Sequence, residues 1–416
     1  VKLVYKWSPS LTAEQLSILE DLAFHTTKLY NIANHRCREE GFLPYVKLEK
    51  ELKSNWHHDY LHSHTYQQCL KMVEQNWKSF FASSKDFKKN PHKYKGTPQP
   101  PKYKHVNNRK NEIIFTKFAI RLQENVLKLS LSKKMQERHQ VDSFHVVLDP
   151  DNMPFDVTTL QQIRFQWRQS LRTWEMVMIY KQKERVLPKT FTNTMSIDLG
   201  VDNLAALTFL EGEDSYLING KPLKSKNSYY NKEIARLTSI VMKQTGTSED
   251  FIRTRRIRSL QGKRNRYVHN FLHQASRQIV DLAVEHQCRT IVIGKMKGIK
   301  QEHPCKMFVQ IPHARFVDLI TYKAKLAGIK VTSQNEAYTS GCSALDEENI
   351  SQKSYAPERR IHRGLFVSNM GLVINADVNG SLNILRKYMK QKGSPDLIRS
   401  ARDNGCLKHP KRILVG

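Results

Sequence analysis

From Thr194 to Ser333 the chain alternates short apolar runs with helical stripes, and carboxylates stand at or just past the ends of some of those runs. The runs Thr194–Leu199, Ala205–Leu210 and Ser215–Ile218 are too short for helices and predict three strands in an antiparallel meander. Two helical stretches follow. A basic run holds Arg253, Arg255, Arg256, Arg258, Lys263, Arg264 and Arg266, and after it Val268, Phe271, Leu272, Ala275, Ile279, Leu282 and Ala283 recur at helical spacing. Arg289–Gly294 predicts a fourth strand. Phe316, Leu319, Ile320, Ala324 and Ala327 predict a helix stopped by Gly328, and Ile329–Ser333 predicts a fifth strand. Few folds accept the order β-β-β-α-β-α-β-α.

That order is the α/β order of an RNase H-like fold, in which strand 1 lies beside strand 4 and strand 5 beyond it with the same polarity. Asp198, in Ser196-Ile-Asp-Leu-Gly200, then projects from the carboxyl edge of the sheet, where α/β sites are built. Asp377, in Ile374-Asn-Ala-Asp-Val-Asn-Gly380, opens a helix whose face carries Val378, Leu382 and Leu385, so its carboxylate can face the same edge. Facing carboxylates repel unless cations lie between them, and magnesium, as a pair of ions, suits oxygen ligands. A further acid is expected at the end of strand 4, but Gly294 stands there. Glu336, in Asn335-Glu-Ala-Tyr-Thr-Ser340, follows strand 5, one strand spacing of ~4.8 Å away. Blander roles stay open: a turn cap for Asp198, a helix N-cap for Asp377, and a solvated loop acid for Glu336, with Asp346-Glu347-Glu348 as its rival.

The surrounding charge limits the partner. Lys plus Arg number 68 against 39 Asp plus Glu, a formal charge of +29, which calls for a polyanion. The charge is dispersed, as in grooves that track a nucleic-acid backbone, and no dominant basic amphipathic helix points to a membrane surface. No run of about 18 apolar residues predicts a membrane span, and residues 1–8 lack the apolar core of a signal peptide. Six scattered cysteines without a Cys-x-x-Cys pair argue against a disulfide framework and a four-cysteine zinc site, and read as reduced intracellular thiols. A polycation that keeps acids at strand ends implies metal-dependent phosphodiester chemistry.

The N-terminal half predicts a strand over 2–7, then a helix capped by Ser10 or Thr12 with Leu16, Leu19, Leu22, Ala23, Leu29 and Ala33 on one face. Over 76–110, Trp77, Phe80, Phe81, Phe87, Tyr94 and Tyr103 interleave with lysines that include Lys102 and Lys104. That mixture suits base stacking beside phosphate contacts, or equally a core with solvated lysines. Strand patterns over 112–182 predict a small β-barrel with the helices inserted after its first strand.

These residues resemble the TnpB family, RNA-guided endonucleases of bacterial insertion sequences, and their relatives the Fanzor proteins and compact type V CRISPR effectors. The resemblance is strongest in Ser196–Ala205 and Ile374–Ile384, and extends to His273–Arg277 and Phe308–His313. It implies a RuvC-like nuclease domain at 191–342 and 372–416, with Asp198, Glu336 and Asp377 as catalytic and metal-ligating acids and Mg2+ as cofactor. Glu336-Ala-Tyr-Thr-Ser340 is similar to the motif of a branch whose glutamate is rearranged. The absent Cys-x-x-Cys pairs imply that the insertion at 343–371 contacts nucleic acid without structural zinc. The resemblance further implies a wedge domain (1–10 and 111–190) and a helical recognition domain (11–110). A monomer in a ribonucleoprotein would hold a guide RNA derived from the element's end and meet double-stranded and single-stranded DNA beside a short flanking motif. Arg253–Arg266, Tyr94, Lys102, Tyr103 and Lys104 are the expected nucleic-acid contacts. A prokaryotic chain would act in the nucleoid-containing cytoplasm, a Fanzor-type chain in the nucleus, and Lys408–Arg412 is too short a basic run to decide. A nuclease-dead RNA-guided repressor and a guide-independent transposase-type nuclease are the alternatives.

Overall fold

The computed structural model describes all residues except 150–152, 170, 213, 247–253, 296–310, 363, 394–406, 408 and 416. Arg253, Phe308–Gln310, Cys305, Cys406 and Lys408 therefore lie outside the described residues. Two units form, 2–182 and 183–416, the second also taking in Val1.

In the first unit β1 (Lys2–Trp7) leads to α1 (Ala13–Glu39). Thr12 supplies the cap: its hydroxyl accepts from the Gln15 amide and the Gln15 side chain accepts from the Thr12 amide, a reciprocal box that satisfies two otherwise orphaned donors. The expected stripe is buried except for Leu16, which stays 41% exposed. Helices α2 (Tyr45–Glu51), α3 (Trp56–Asp59) and α4 (Ser63–Lys89) follow. Next come β2 (Ile113–Thr116), β3 (Ile120–Gln123), β4 (Val126–Ser130), α5 (Lys133–His139), β5 (Ser143–Val147), β6 (Leu160–Arg168) and β7 (Thr173–Lys181). Among the described residues, strand pairing does not close one barrel. It gives an antiparallel sheet β1-β7-β6-β2 and a separate one, β3-β4-β5. The two sheets meet through side chains, with Phe144 and Phe165 edge to face at 5.4 Å, and helical Leu19, Leu22 and Leu29 enter the same core. A barrel ladder would need backbone pairing where aromatic packing already joins the sheets.

The second unit contains β8 (Asn193–Leu199), β9 (Asn203–Phe209), β10 (Ser215–Asn219), α6 (Lys221–Thr245), α7 (Arg255–Glu285), β11 (Cys288–Lys295), α8 (His313–Leu326), β12 (Lys330–Asn335), β13 (Leu365–Val367), β14 (Val373–Asn375), α9 (Ala376–Gln391) and β15 (Lys411–Ile413). The main sheet runs β12-β11-β8-β9-β10-β15, with β8, β11 and β12 mutually parallel. Strand 1 is thus beside strand 4, with strand 5 beyond it. Side chains alternate along β8: Met195, Ile197 and Leu199 join the core with Phe271 and Phe316, while Ser196 meets Ser381 of α9 at 3.0 Å on the other face. Asp198 shares the parity of Ser196 and so faces α9.

Two features differ from the expectation. The basic run and the apolar stripe lie on one continuous helix, α7, and α6 precedes it as a second long helix. Residues 411–413 add a parallel edge strand to β10. Gly328 does end α8, at φ +81°, where a Cβ would also strike the Arg185 carbonyl. Among the described residues no helix is long and apolar enough to cross a membrane, and Cys37, Cys69, Cys288 and Cys342 are buried free thiols.

Candidate metal centre and nucleic-acid surface

Asp198 is the next-to-last residue of β8 and points at the first turns of α9. Its Oδ2 lies against Gly380, where any Cβ would collide with it and would sit 3.3 Å from Cγ, so the bare glycine lets strand and helix approach. Asp377 is not the cap of α9. Asn375 takes that role, accepting from the amides of Asp377 at 3.0 Å and Val378 at 3.2 Å, which leaves the Asp377 carboxylate free of the backbone. Its two oxygens accept instead from Asn203 Nδ2 at 2.7 Å and Arg360 Nη2 at 3.1 Å.

Glu336 follows β12 directly, and the parallel register Gly294↔Gln334 sets it beside the end of β11. Its side chain folds back across Gly294. A Cβ at 294 would overlap Oε1 and lie 2.8 Å from both Cγ and Cδ. The vacancy at strand 4 is therefore the space that the displaced glutamate occupies. Adding a carboxylate at 294 cannot complement a residue of glutamate size at 336, because both need the same volume. Gly294→Ala is expected to push the Glu336 carboxylate aside and lower cleavage about 10²-fold, the usual cost of misplacing a catalytic group by about 1 Å. A single-turnover assay checks this, and an unchanged rate would place Glu336 elsewhere.

The electrostatics fit a cation. Asp198 keeps part of its surface open but is packed round by protein. That packing, then the charges of Glu336 and Asp377, hold its pKa well above the ordinary value, with Arg360 opposing them. Burial raises Glu336 to about 7, and its Oε1 has no hydrogen-bond partner among the described residues. All three donors are hard oxygens, as magnesium requires. As they stand, no three His, Cys, Asp or Glu among the described residues converge closely enough to hold a metal. Arg360 was invisible to sequence reasoning, since one arginine in a basic insertion carries no periodic signal.

The rival acids have another task. Asp346 and Glu348 hold Arg359, whose Nη1 and Nη2 donate to Glu348 at 2.7 and 2.8 Å and whose side chain is only 14% exposed. The same guanidinium donates to the Gly341 carbonyl at 3.2 Å and to Asn369 at 3.1 Å, and lies over Phe366. This fork ties the ends of the insertion together and carries Arg360 beside Asp377. Arg359→Ala is expected to cost ~3–5 kcal/mol, because it strands two nearly buried carboxylates. Denaturant unfolding measures the loss. Arg359→Lys should not restore it, as lysine lacks the planar fork.

His313, the described end of the Phe308–His313 stretch, is buried, and its Nε2 lies 3.0 Å from the Gly200 carbonyl, pinning the turn after Asp198. In the His273–Arg277 stretch, the His273 carbonyl accepts from Lys323 Nζ and so joins α7 to α8.

Of the expected nucleic-acid contacts, Arg255, Arg256, Arg258, Lys263 and Arg266 are exposed on α7. Arg264 is half-buried, donates to Asn227 at 2.8 Å and has its pKa lowered by burial, so it braces α6 against α7. Tyr103 is exposed under Arg38, while Tyr94 donates to Asp86 at 2.9 Å. Tyr94 and exposed Lys102 help line a cleft of about 410 Å³ with Tyr30, Asn76 and Phe80. Lys104 departs from the expectation. Its ammonium turns inward over Tyr30 and donates to Asn111, and burial lowers its pKa, so it is spent on packing rather than on phosphate.

Comparison with known proteins follows the same geometry. Residues 178–300 match the OrfB_IS605 family, described as a probable transposase, and residues 313–384 match the Cas12f1-like TNB domain. The first span contains Asp198 and Gly294, the second Glu336, Arg360 and Asp377. The chain is 27% identical over 198 residues to the TnpB-like protein ORF457 of Acidianus two-tailed virus, covering 46% of this chain and 41% of that protein. It is 26% identical over 227 residues to the CRISPR-associated endodeoxyribonuclease Cas12f1 of Sulfoacidibacillus thermotolerans, covering 51% and 49% respectively. It thus matches over about half the length of these curated relatives or less. The mixed α/β fold is similar to that in the solved Cas12f1–sgRNA–target DNA complex, with a TM-score of 0.55 and 13% identity over 90% of this chain and 83% of that one. With both matched segments in this order around one carboxylate-bearing sheet edge, the chain is similar to TnpB-like and Cas12f1 proteins over its C-terminal unit.

Proposed function

We propose that this protein is an RNA-guided DNA endonuclease that cleaves by magnesium-dependent phosphodiester hydrolysis in a RuvC-like domain. The observation that carries the reading is that Glu336 and Asp377 lie near enough to Asp198 to help raise its pKa, in a chain with formal charge +29. Magnesium bound there would supply Lewis acidity at the scissile phosphate and lower the pKa of the attacking water. Asp198 and Asp377 are set by a strand end and a helix start, so they define the ion position with little freedom. Glu336, with its pKa raised to about 7, would favour its ionised form with a cation held there. Arg360, which donates to Asp377, would be available to a phosphate once a cation took over that carboxylate.

The remaining charge serves the polyanions. The exposed face of α7 and the insertion at 343–371 would follow nucleic-acid backbone, while the 2–182 unit would hold a guide RNA and read a short flank of the DNA target. The guide would read sequence by base pairing. The test is to sequence RNA copurifying with the protein and to supply DNA that matches it. Cleavage should require both that RNA and magnesium. Cutting without RNA would favour a transposase-type nuclease, and binding without cutting would favour a repressor.

A further inference from the structure

We propose that the cleft between α6 and α7 is a binding site for one unstacked nucleotide of single-stranded nucleic acid. This rests on the functional reading above and adds a place where a base, not only a backbone, is held. The cleft measures about 500 Å³, within the range of small-ligand sites. Residues four apart share a helix face, which sets Tyr229, Glu233 and Leu237 on the α6 wall opposite Leu260 and Lys263 on α7. Leu237 and Leu260 form an apolar floor continuous with buried Val241 and Ile257.

Tyr229 is 56% exposed, and Lys226 Nζ sits 5.8 Å from its ring centroid. Arg255, Arg256 and Lys263 line the opposite wall, and none of them is in an ion pair with a described residue. The only acid of the lining, Glu233, is already paired with Arg236 at 2.9 Å. The cleft therefore presents an exposed aromatic ring, an apolar floor and three cations outside any ion pair with a described residue, of which Arg256 also lies near enough to Glu233 to help lower its pKa. A duplex offers phosphates but hides its base faces, and a plain anion has no use for the ring and floor. An unpaired nucleotide uses all three features, with its base on Tyr229 and its phosphates on the cations.

The test uses the full chain without magnesium, short single-stranded RNA and DNA oligonucleotides carrying 5-iodouracil, and a DNA duplex of equal length. Irradiation should crosslink the oligonucleotide to Tyr229, located by mass spectrometry. Tyr229→Ala should raise the Kd for single strands about 5- to 100-fold, the loss of one stacked base, and leave duplex binding unchanged. Tyr229→Phe, which keeps the ring, should bind like wild type. The RNA and DNA arms tell which strand supplies the nucleotide. Equal single-strand affinity of wild type and Tyr229→Ala would overturn the cleft alone. A wild-type chain that binds neither oligonucleotide would overturn the functional reading and the cleft with it. Displacement of the oligonucleotide by poly-glutamate with the same Tyr229 dependence would assign the cleft to an acidic peptide instead.

Discussion

Asp198→Ala and Asp377→Ala are each expected to lower DNA cleavage by ~10²–10³-fold while leaving RNA and target binding intact. Removing one preorganised electrostatic group from a catalytic centre costs about that much, and these acids contribute nothing to the positive charge of the exposed α7 face. Asp198→Asn separates the two roles of the residue further. In the metal-free protein its carboxylate is crowded by protein and by two neighbouring acids, so neutralising it should raise the melting temperature even as cleavage disappears. Cleavage and melting measured on the same preparations check both signs. Wild-type cutting by either alanine variant would disprove the metal-centre assignment.

Glu336→Gln is expected to abolish cutting and also to flatten a pH dependence of stability. The folded-state pKa of Glu336 is raised from 4.5 to about 7, so the folded protein holds this proton more tightly than the unfolded chain. Stability from this group is greatest below about pH 4.5, falls as pH rises to about 7, and above that carries a penalty of at most ~3 kcal/mol. Magnesium, which favours the ionised form, should offset that penalty. It should therefore raise the melting temperature at pH 8 and have little effect at pH 5. In Glu336→Gln both the pH slope and its magnesium response should shrink. Unchanged behaviour in the variant would remove Glu336 from the site. Asp346 and Glu348 provide the contrast: replacing them should act on stability through Arg359, not on the magnesium response.

The strands and helices of the C-terminal unit were legible because apolar periodicity is local. The run Thr194–Leu199 ends in Asp198 whatever surrounds it, and the turn-helix pattern around Asp377 is equally near in sequence. The vacancy at Gly294 and the candidate Glu336 were also visible, but not that one fills the other, since their contact depends on the register of β11 and β12. Pairing of the first-unit strands into two sheets instead of a barrel depends on which aromatic faces meet across long chain separations.

Charge was the least legible property. Sixty-eight basic residues look alike in a sequence. Only the tertiary structure turned Lys104 inward onto Tyr30 and Asn111, set Arg359 between Asp346 and Glu348, and brought Arg360 to Asp377. The sequence by itself determined which acids stand at strand and helix ends, because backbone periodicity is written in neighbouring residues. The tertiary structure decided which charges face each other, because that follows from packing between segments as far apart as 198, 336 and 377.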